Sequence, residues 1–259
     1  MGEVSIENVT LSFNTRRAGN ITALSTLNMT IPDQQFAVIV GPSGCGKSSL
    51  LDLVAGLKDC SSGVCRIDGE VIQKPGPDRG MVPQNYSLFP WLTVRKNVEF
   101  GLSLSNISAQ ERQERTDHYV DVVGLSGFRD AYPAQLSGGM KQRVAIARSL
   151  AVNPEVLLMD EPFGALDSQT RAVMQELLLD VWQKERKTVL FVTHDIDEAL
   201  FLGDVVYVMS ARPGRIIDSI DVHLERPRNY DIVTSEHFIE LKRRIMSSLH
   251  EEVGKALAT

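Results

Sequence analysis

The chain has 259 residues, with 27 Lys and Arg against 33 Asp and Glu, a net charge of −6 and a 43% share of hydrophobic residues. That suits one large α/β domain, or a domain with a small appendage, and it excludes both long disorder and a chain-wide basic footprint for nucleic acid. Apolar stretches such as Phe36–Val40 are far below the roughly 20 residues of a spanning helix, no basic-then-apolar leader opens the chain, and three cysteines (Cys45, Cys60, Cys65) fit a reducing, cytosolic compartment.

Taken in order, residues 1–35 alternate apolar and polar positions (Val4, Ile6, Leu11, Phe13; Leu24, Leu27, Met29, Ile31) around a polar break at 15–20, which predicts antiparallel strands. Phe36–Val40 is continuously apolar, as a strand buried on both faces is, and a helix is predicted over 49–56. Residues 85–152 carry helical patterns at 109–123 and 139–152 between Gly and Pro breaks and hold no buried strand, so they read as a helical insertion. Three short β-rich runs follow at 156–159, 188–192 and 205–209. Between the first two, Val173, Met174, Leu177, Leu178, Val181 and Trp182 recur at helical spacing over 168–187, which implies parallel pairing through a right-handed crossover. Phe238, Leu241, Ile245 and Leu249 mark a closing amphipathic helix over 235–257, read as packing on the core.

Gly41-Pro42-Ser43-Gly44-Cys45-Gly46-Lys47-Ser48 matches G-x-x-x-x-G-K-[ST], directly after a predicted strand and before a predicted helix, the context that motif needs. Glycines let the backbone curl so that successive N–H groups converge on phosphate oxygens, and the helix N-terminus adds a favourable dipole. Lys47 is placed to reach the β and γ phosphates, and the Ser48 hydroxyl to sit on Mg²⁺. Val156-Leu157-Leu158-Met159-Asp160-Glu161 supplies a buried strand ending in two acids: Asp160 for the metal, Glu161 for the attacking water. Together these predict a Mg²⁺-dependent P-loop nucleotide phosphatase core and leave its output open.

Leu136-Ser137-Gly138-Gly139-Met140-Lys141-Gln142-Arg143 narrows the reading. With it, the chain resembles the nucleotide-binding subunit of ABC transporters from about residue 3 to residue 220, with several motifs in the family's order. Met140 stands where the family signature usually ends in Gln. The resemblance implies the ABC ATPase fold: a mostly parallel α/β core, an N-terminal antiparallel β subdomain and an inserted helical subdomain. It divides the chain into a nucleotide-binding core (1–84 and 153–223), a helical signature subdomain (85–152) and a C-terminal helical tail (224–259). The loop from Gly41 to Ser49 would hold ATP. Ser137, Gly138 and Gly139 would meet the γ-phosphate of an ATP held by a second subunit, Gln84 would touch Mg²⁺ and the attacking water, and His194 the γ-phosphate. Asp167 would lie where two subunits meet, and Phe13 would stack on adenine, although an ordinary strand residue reads equally well there.

The same resemblance implies two ATP molecules between a head-to-tail pair of ATP-binding subunits, homo- or heterodimeric, at the cytoplasmic face of the inner membrane. It further implies separate membrane permease subunits, docked near Phe89, Trp91 and Leu92, and a solute-binding protein. Gly76-Pro77-Asp78-Arg79, Leu88-Phe89-Pro90-Trp91 and Arg212-Pro213-Gly214-Arg215 resemble strings in ATPase subunits that import nitrate, bicarbonate, taurine and aliphatic sulfonates, with nitrate or a related oxyanion favoured. The rival class, a soluble ABC ATPase of DNA repair, chromosome organisation or the ribosome, is disfavoured by the absence of long heptad insertions and of a second core. The net charge speaks against a nucleic-acid partner.

Overall fold

The protein, described by a computed structural model, is seen at residues 2–15 and 19–257. In chain order its elements are strands β1 (Val4–Thr15), β2 (Gly19–Ile31) and β3 (Phe36–Val40), helix α1 (Lys47–Val54), and strands β4 (Ser62–Ile67), β5 (Glu70–Val71) and β6 (Arg79–Val82). Helices α2 (Val94–Leu102), α3 (Ala109–Val122) and α4 (Gly138–Ala151), strand β7 (Val156–Asp160), helix α5 (Ser168–Glu185) and strand β8 (Thr188–Thr193) follow. Helix α6 (Ile196–Leu202), strands β9 (Val205–Met209) and β10 (Ile216–Asp221) and helix α7 (Glu236–Leu257) complete the chain. It divides into two compact units, Met1–Gly76 with Arg186–Thr259, and Pro77–Glu185.

The first unit holds an antiparallel sheet in the order β2-β1-β4-β5. Val4 and Ile6 are buried, and so are Val9 and Leu11, although strict alternation breaks between the pairs. A register shift between Ile6 and Val9 accounts for it: Asn8, at φ 51, adds a residue and returns the apolar side chains to the core face. The turn expected between β1 and β2 falls on residues 16–18, outside those described. Beside it, the wholly buried β3 runs parallel to β8 and β9, and β10 pairs antiparallel to β9. Helices α1 and α6 pack against β8.

The tail is fastened to the same unit. Phe238, Leu241 and Ile245 are buried on α7 as the periodicity predicts, while Leu249 is half-buried. Arg228 donates to the carbonyls of Leu200, Phe201 and Gly203 at 3.2, 2.9 and 2.8 Å, closing the C-terminus of α6. Burial, with Arg226 beside it, pushes this guanidinium down to about 9.

In the second unit β6 and β7 pair in parallel, and α4 packs against β6, α2, α3 and α5. No strand occurs among residues 85–152, as expected; β4, β5, β6 and β10 and helices α2 and α6 are additional to the sequence reading. These are short elements of two to nine residues, where periodicity has few repeats to register. Helix α1 begins at Lys47, two residues before its predicted start. On α5, Val173 is exposed and Leu179 buried, so the apolar stripe is rotated from the predicted one. The compact units also group 77–84 and 153–185 with the helices, a different border from the 85–152 insertion.

Candidate functional site

In the first unit, β3 feeds a loop that opens α1. The loop curls through Gly44 (φ 76) and Gly46 (φ 112), backbone conformations that a Cβ makes strained. Gly46 also packs tightly: a methyl there would lie 2.7 Å from Leu24 Cδ2. Lys47 is buried and its Nζ donates to the carbonyls of Gly41 at 2.8 Å and Pro42 at 3.1 Å, so the ammonium lies across the mouth of the loop. Ser43, Gly44 and Ser48 are exposed, Pro42 and Ser49 half-buried, and Cys45 buried.

One feature sets α1 apart. Six other helices begin with a side chain that accepts an amide of the first turn: Thr93 from Lys96, Ser108 from Glu111, Ser137 from Met140, Asp167 from Thr170, Asp195 from Glu198 and Ser235 from Phe238, at 3.0–3.3 Å. At α1 the capping position is Gly46, with no side-chain bond and no acidic residue in the first turn. A helix end with no side-chain cap and open space around Gly44 has the backbone dipole and the room to face a phosphate. The same unit carries Phe13, 36% exposed, with Lys58 Nζ 5.4 Å from its ring centroid. It also places exposed His194 between β8 and the Asp195 cap of α6.

In the second unit, β7 delivers half-buried Asp160 and Glu161 at its C-terminal end. Glu161 sits at φ 42, a left-handed conformation that costs a non-glycine residue of order 1–3 kcal/mol and concentrates at functional sites. Its carbonyl accepts the amide of Gly164 at 3.1 Å, starting the turn that leads to Asp167. There Oδ1 accepts the Thr170 amide at 3.0 Å, and this bond holds the Asp167 carboxyl below the usual carboxylate range. Gln84 is exposed, two residues past β6.

Three of the sequence segments converge at the start of α4. A methyl on Gly139 would lie 2.7 Å from Thr170 Cγ2, and one on Gly138 3.2 Å from the Tyr86 hydroxyl and 3.4 Å from Leu166 Cδ2. The signature glycines are thus packed against the Asp167 turn and the segment after Gln84. Arg148 of α4 fastens that segment further, donating to Ser87 O at 2.7 Å and Tyr86 O at 3.2 Å; burial lowers its pKa. Fully buried Asn97 holds the next residues, accepting from Phe89 N at 2.9 Å and donating toward Leu92 O and Thr93 O. The outcome is an aromatic cluster, Phe89 with Trp91 (centroids 5.7 Å) and Phe100 (4.4 Å), with Trp91 69% exposed. Tyr86, Asn97, Phe100, Arg148 and Thr170 were not singled out by the sequence. Only Asn97, in a helix just past the Thr93 cap, had a local signal.

Taken singly, Ser48 of the first unit and Gln84 and Asp160 of the second each offer oxygen, the donor type a hard cation takes. No helix among the described residues is long and apolar enough to cross a membrane.

The ABC transporter family profile matches residues 24–164. An ABC transporter ATP-binding protein of Methanocaldococcus jannaschii is 50% identical over 257 residues, 98% of this chain and 94% of its own length. A nitrate import ATP-binding protein of Synechocystis is 52% identical, covering 90% of each chain, and a taurine import ATP-binding protein of Rhizobium johnstonii 46%, covering 95% and 96%. Among solved structures, a dimeric ATP-binding cassette in a post-hydrolysis state with ADP and phosphate superposes at a TM-score of 0.74, with 34% identity over 86% of this chain and 100% of its own. The chain belongs to the ABC transporter family, as an ATP-binding subunit that hydrolyses ATP.

Proposed function

We propose that this chain powers the uptake of a small anion through separate membrane permease subunits, at the cytoplasmic face of the inner membrane, fed by a solute-binding protein. Nitrate or a related oxyanion is the favoured solute, with taurine, aliphatic sulfonates and bicarbonate as alternatives. The higher identity to the nitrate relative supports that order. The observation that carries the phosphate-site reading is the start of α1 at Gly46, the one α-helix start among the described residues that has no side-chain cap.

In this reading the core, 1–84 and 153–223, binds ATP on Gly41 to Ser49, and the adenine stacks on Phe13. Lys47 exchanges its bonds to the Gly41 and Pro42 carbonyls for oxygens of the β and γ phosphates. Glu161 accepts a proton from the attacking water, oriented with Gln84, while Lys47 and His194 counter the charge growing on the γ-phosphate. Ser48, Gln84 and Asp160 would hold Mg²⁺, which when bound neutralises phosphate charge. Ser137, Gly138 and Gly139 of one subunit meet the γ-phosphate held by another, so hydrolysis removes the contacts that keep the pair closed and shifts the population to open dimers. Asp167 lies at the join. The 85–152 segment carries the signature and, through Phe89, Trp91 and Leu92, takes a short helix of the permease; the 224–259 tail stays packed on the core.

Glu161→Gln tests this reading. ATP affinity is expected to be retained, phosphate release to fall by about 10²–10⁴-fold, and sedimentation with ATP to show a stable dimer. Normal turnover by the variant would remove Glu161 from the chemistry.

A further inference from the structure

We propose that the turn between β9 and β10, residues 210–215, is a positioning element for the phosphate loop, acting through Arg212 and Gly214. The proposal rests on the reading of Gly41 to Ser48 as the ATP phosphate site, and concerns a string, Arg212-Pro213-Gly214-Arg215, to which that reading gives no role.

The turn is itself rigidly closed. Ser210 N donates to Arg215 O at 2.9 Å, and Ser210 Oγ accepts the Arg215 amide at 3.0 Å. It is also tied to β2: the Gly214 amide donates to Ala23 O at 2.8 Å and its carbonyl accepts from Ser25 N at 3.0 Å. From that anchored place it meets the phosphate loop at two points, Gly44 and Cys45, next to a third contact from the end of β9. The carbonyl oxygen of Met209, at the end of β9, lies 2.9 Å from where a methyl on Gly41 would stand. Arg212 Nη2 donates to Gly44 O at 3.3 Å. Gly214 lies so close to Cys45 that a methyl on it would overlap the Cys45 carbonyl oxygen, and it would also stand 3.1 Å from Leu24 Cδ2.

These contacts bear on function because a peptide unit is planar, with its C=O and N–H pointing in opposite directions. A Gly44 carbonyl held by a guanidinium, and a Cys45 carbonyl held against Gly214, fix two successive peptide planes of the loop. The amide that shares the second plane, that of Gly46, is thereby aimed away from the turn. Such a brace acts on phosphate binding in the ground state and the transition state alike, so its loss raises KM and leaves kcat unchanged. Arg212 is exposed, and its removal takes nothing from the core.

The test uses the full chain and Mg-ATP, with calorimetric binding, phosphate release and thermal unfolding measured for each variant. Arg212→Ala is expected to weaken ATP and ADP binding about fivefold and raise KM by a similar factor. Its kcat and thermal midpoint should stay at the wild-type values, and Arg212→Lys, which keeps a charged donor, should recover part of the loss. Gly214→Ala is expected to lose more, about tenfold, because the backbone must move. If it fails to fold, the Arg212 pair still decides. Lys47→Ala is the control. If it abolishes ATP binding while Arg212→Ala binds like the wild type, the brace is refuted and the phosphate-loop reading stands. If Lys47→Ala binds ATP normally, the loop reading falls and the brace with it. A fall in kcat at constant KM for Arg212→Ala, or an equal loss in Arg212→Lys and Arg212→Ala together with a lowered thermal midpoint, would also overturn it.

Discussion

Two helix starts in this chain carry glycines and a hydroxyl residue in short order, and they solve opposite problems. At α1, Gly44 and Gly46 adopt positive φ and the helix begins with no side-chain cap. At α4, Ser137 caps the helix through the Met140 amide at 3.3 Å, and the glycines serve for close packing against Tyr86, Leu166 and Thr170. The first glycines are chosen for conformation and the second for lack of volume. A motif rich in glycine therefore states that a side chain is unwelcome without stating why, and the reason decides which substitutions can be rescued.

Gly46→Ala is the largest expected effect. A residue with a Cβ at φ 112, 2.7 Å from Leu24 Cδ2, should lower stability by about 2–4 kcal/mol and abolish ATP binding. Trimming the neighbour with Leu24→Ala should not restore binding, because the strain lies in the backbone. Restoration in the double variant, seen by calorimetry, would make α1 a second case of packing and erase the comparison.

Gly139→Ala should lower the unfolding free energy by about 1–2 kcal/mol through its contact with Thr170. Here the partner can yield. Thr170→Ser removes the Cγ2 atom in question, and a double-mutant cycle in urea should show most of the loss recovered.

Ser137 comes next, where substitution separates its cap from the phosphate contact proposed for it. Ser137→Ala should lower stability by about 1 kcal/mol as a lost cap, whereas Ser137→Asp keeps the cap and stability. Both should lose hydrolysis, the aspartate because it sets a negative charge where a phosphate is to be met. An aspartate variant with normal turnover would leave Ser137 only its capping role.

The smallest effect concerns Asp167, whose carboxyl is held below its ordinary range by the Thr170 amide. A depressed folded value means stability that is present above the unfolded pKa, near 4, and lost as pH falls through the lower folded value. Asp167→Asn, also a good cap, should leave the thermal midpoint at neutral pH nearly unchanged. It should flatten the acid side of the midpoint-against-pH profile; an unaltered profile would exclude this carboxylate from acid stability.

Much of this was readable from the chain. β3 and β9 lie where their apolar runs place them, because a strand buried on both faces needs no partner to be recognised. The glycine-rich turn from Gly41 to Ser48 was readable for a related reason: its strand, turn and helix are consecutive, so the motif is a local object. The bulge at Asn8 was hidden, since an extra residue resembles a lapse in alternation until the paired strand shows its register. The short helix α2, with its hub Asn97, was hidden because its four hydrogen-bond partners matter only once the 89–93 segment folds back on it.

By itself the sequence determined the chemistry: which hydroxyls, carboxylates, amines and glycines are present, and in which local turns, because those motifs are contiguous and their physics is short-ranged. Tertiary structure decided what those groups lean on. That Gly139 is pressed by Thr170, that Arg148 holds Tyr86 and Ser87, and that Arg212 and Gly214 reach Gly44 and Cys45 are facts between residues far apart in the chain. No local pattern encodes them, because close packing and hydrogen bonding between distant segments are settled only when the chain has closed on itself.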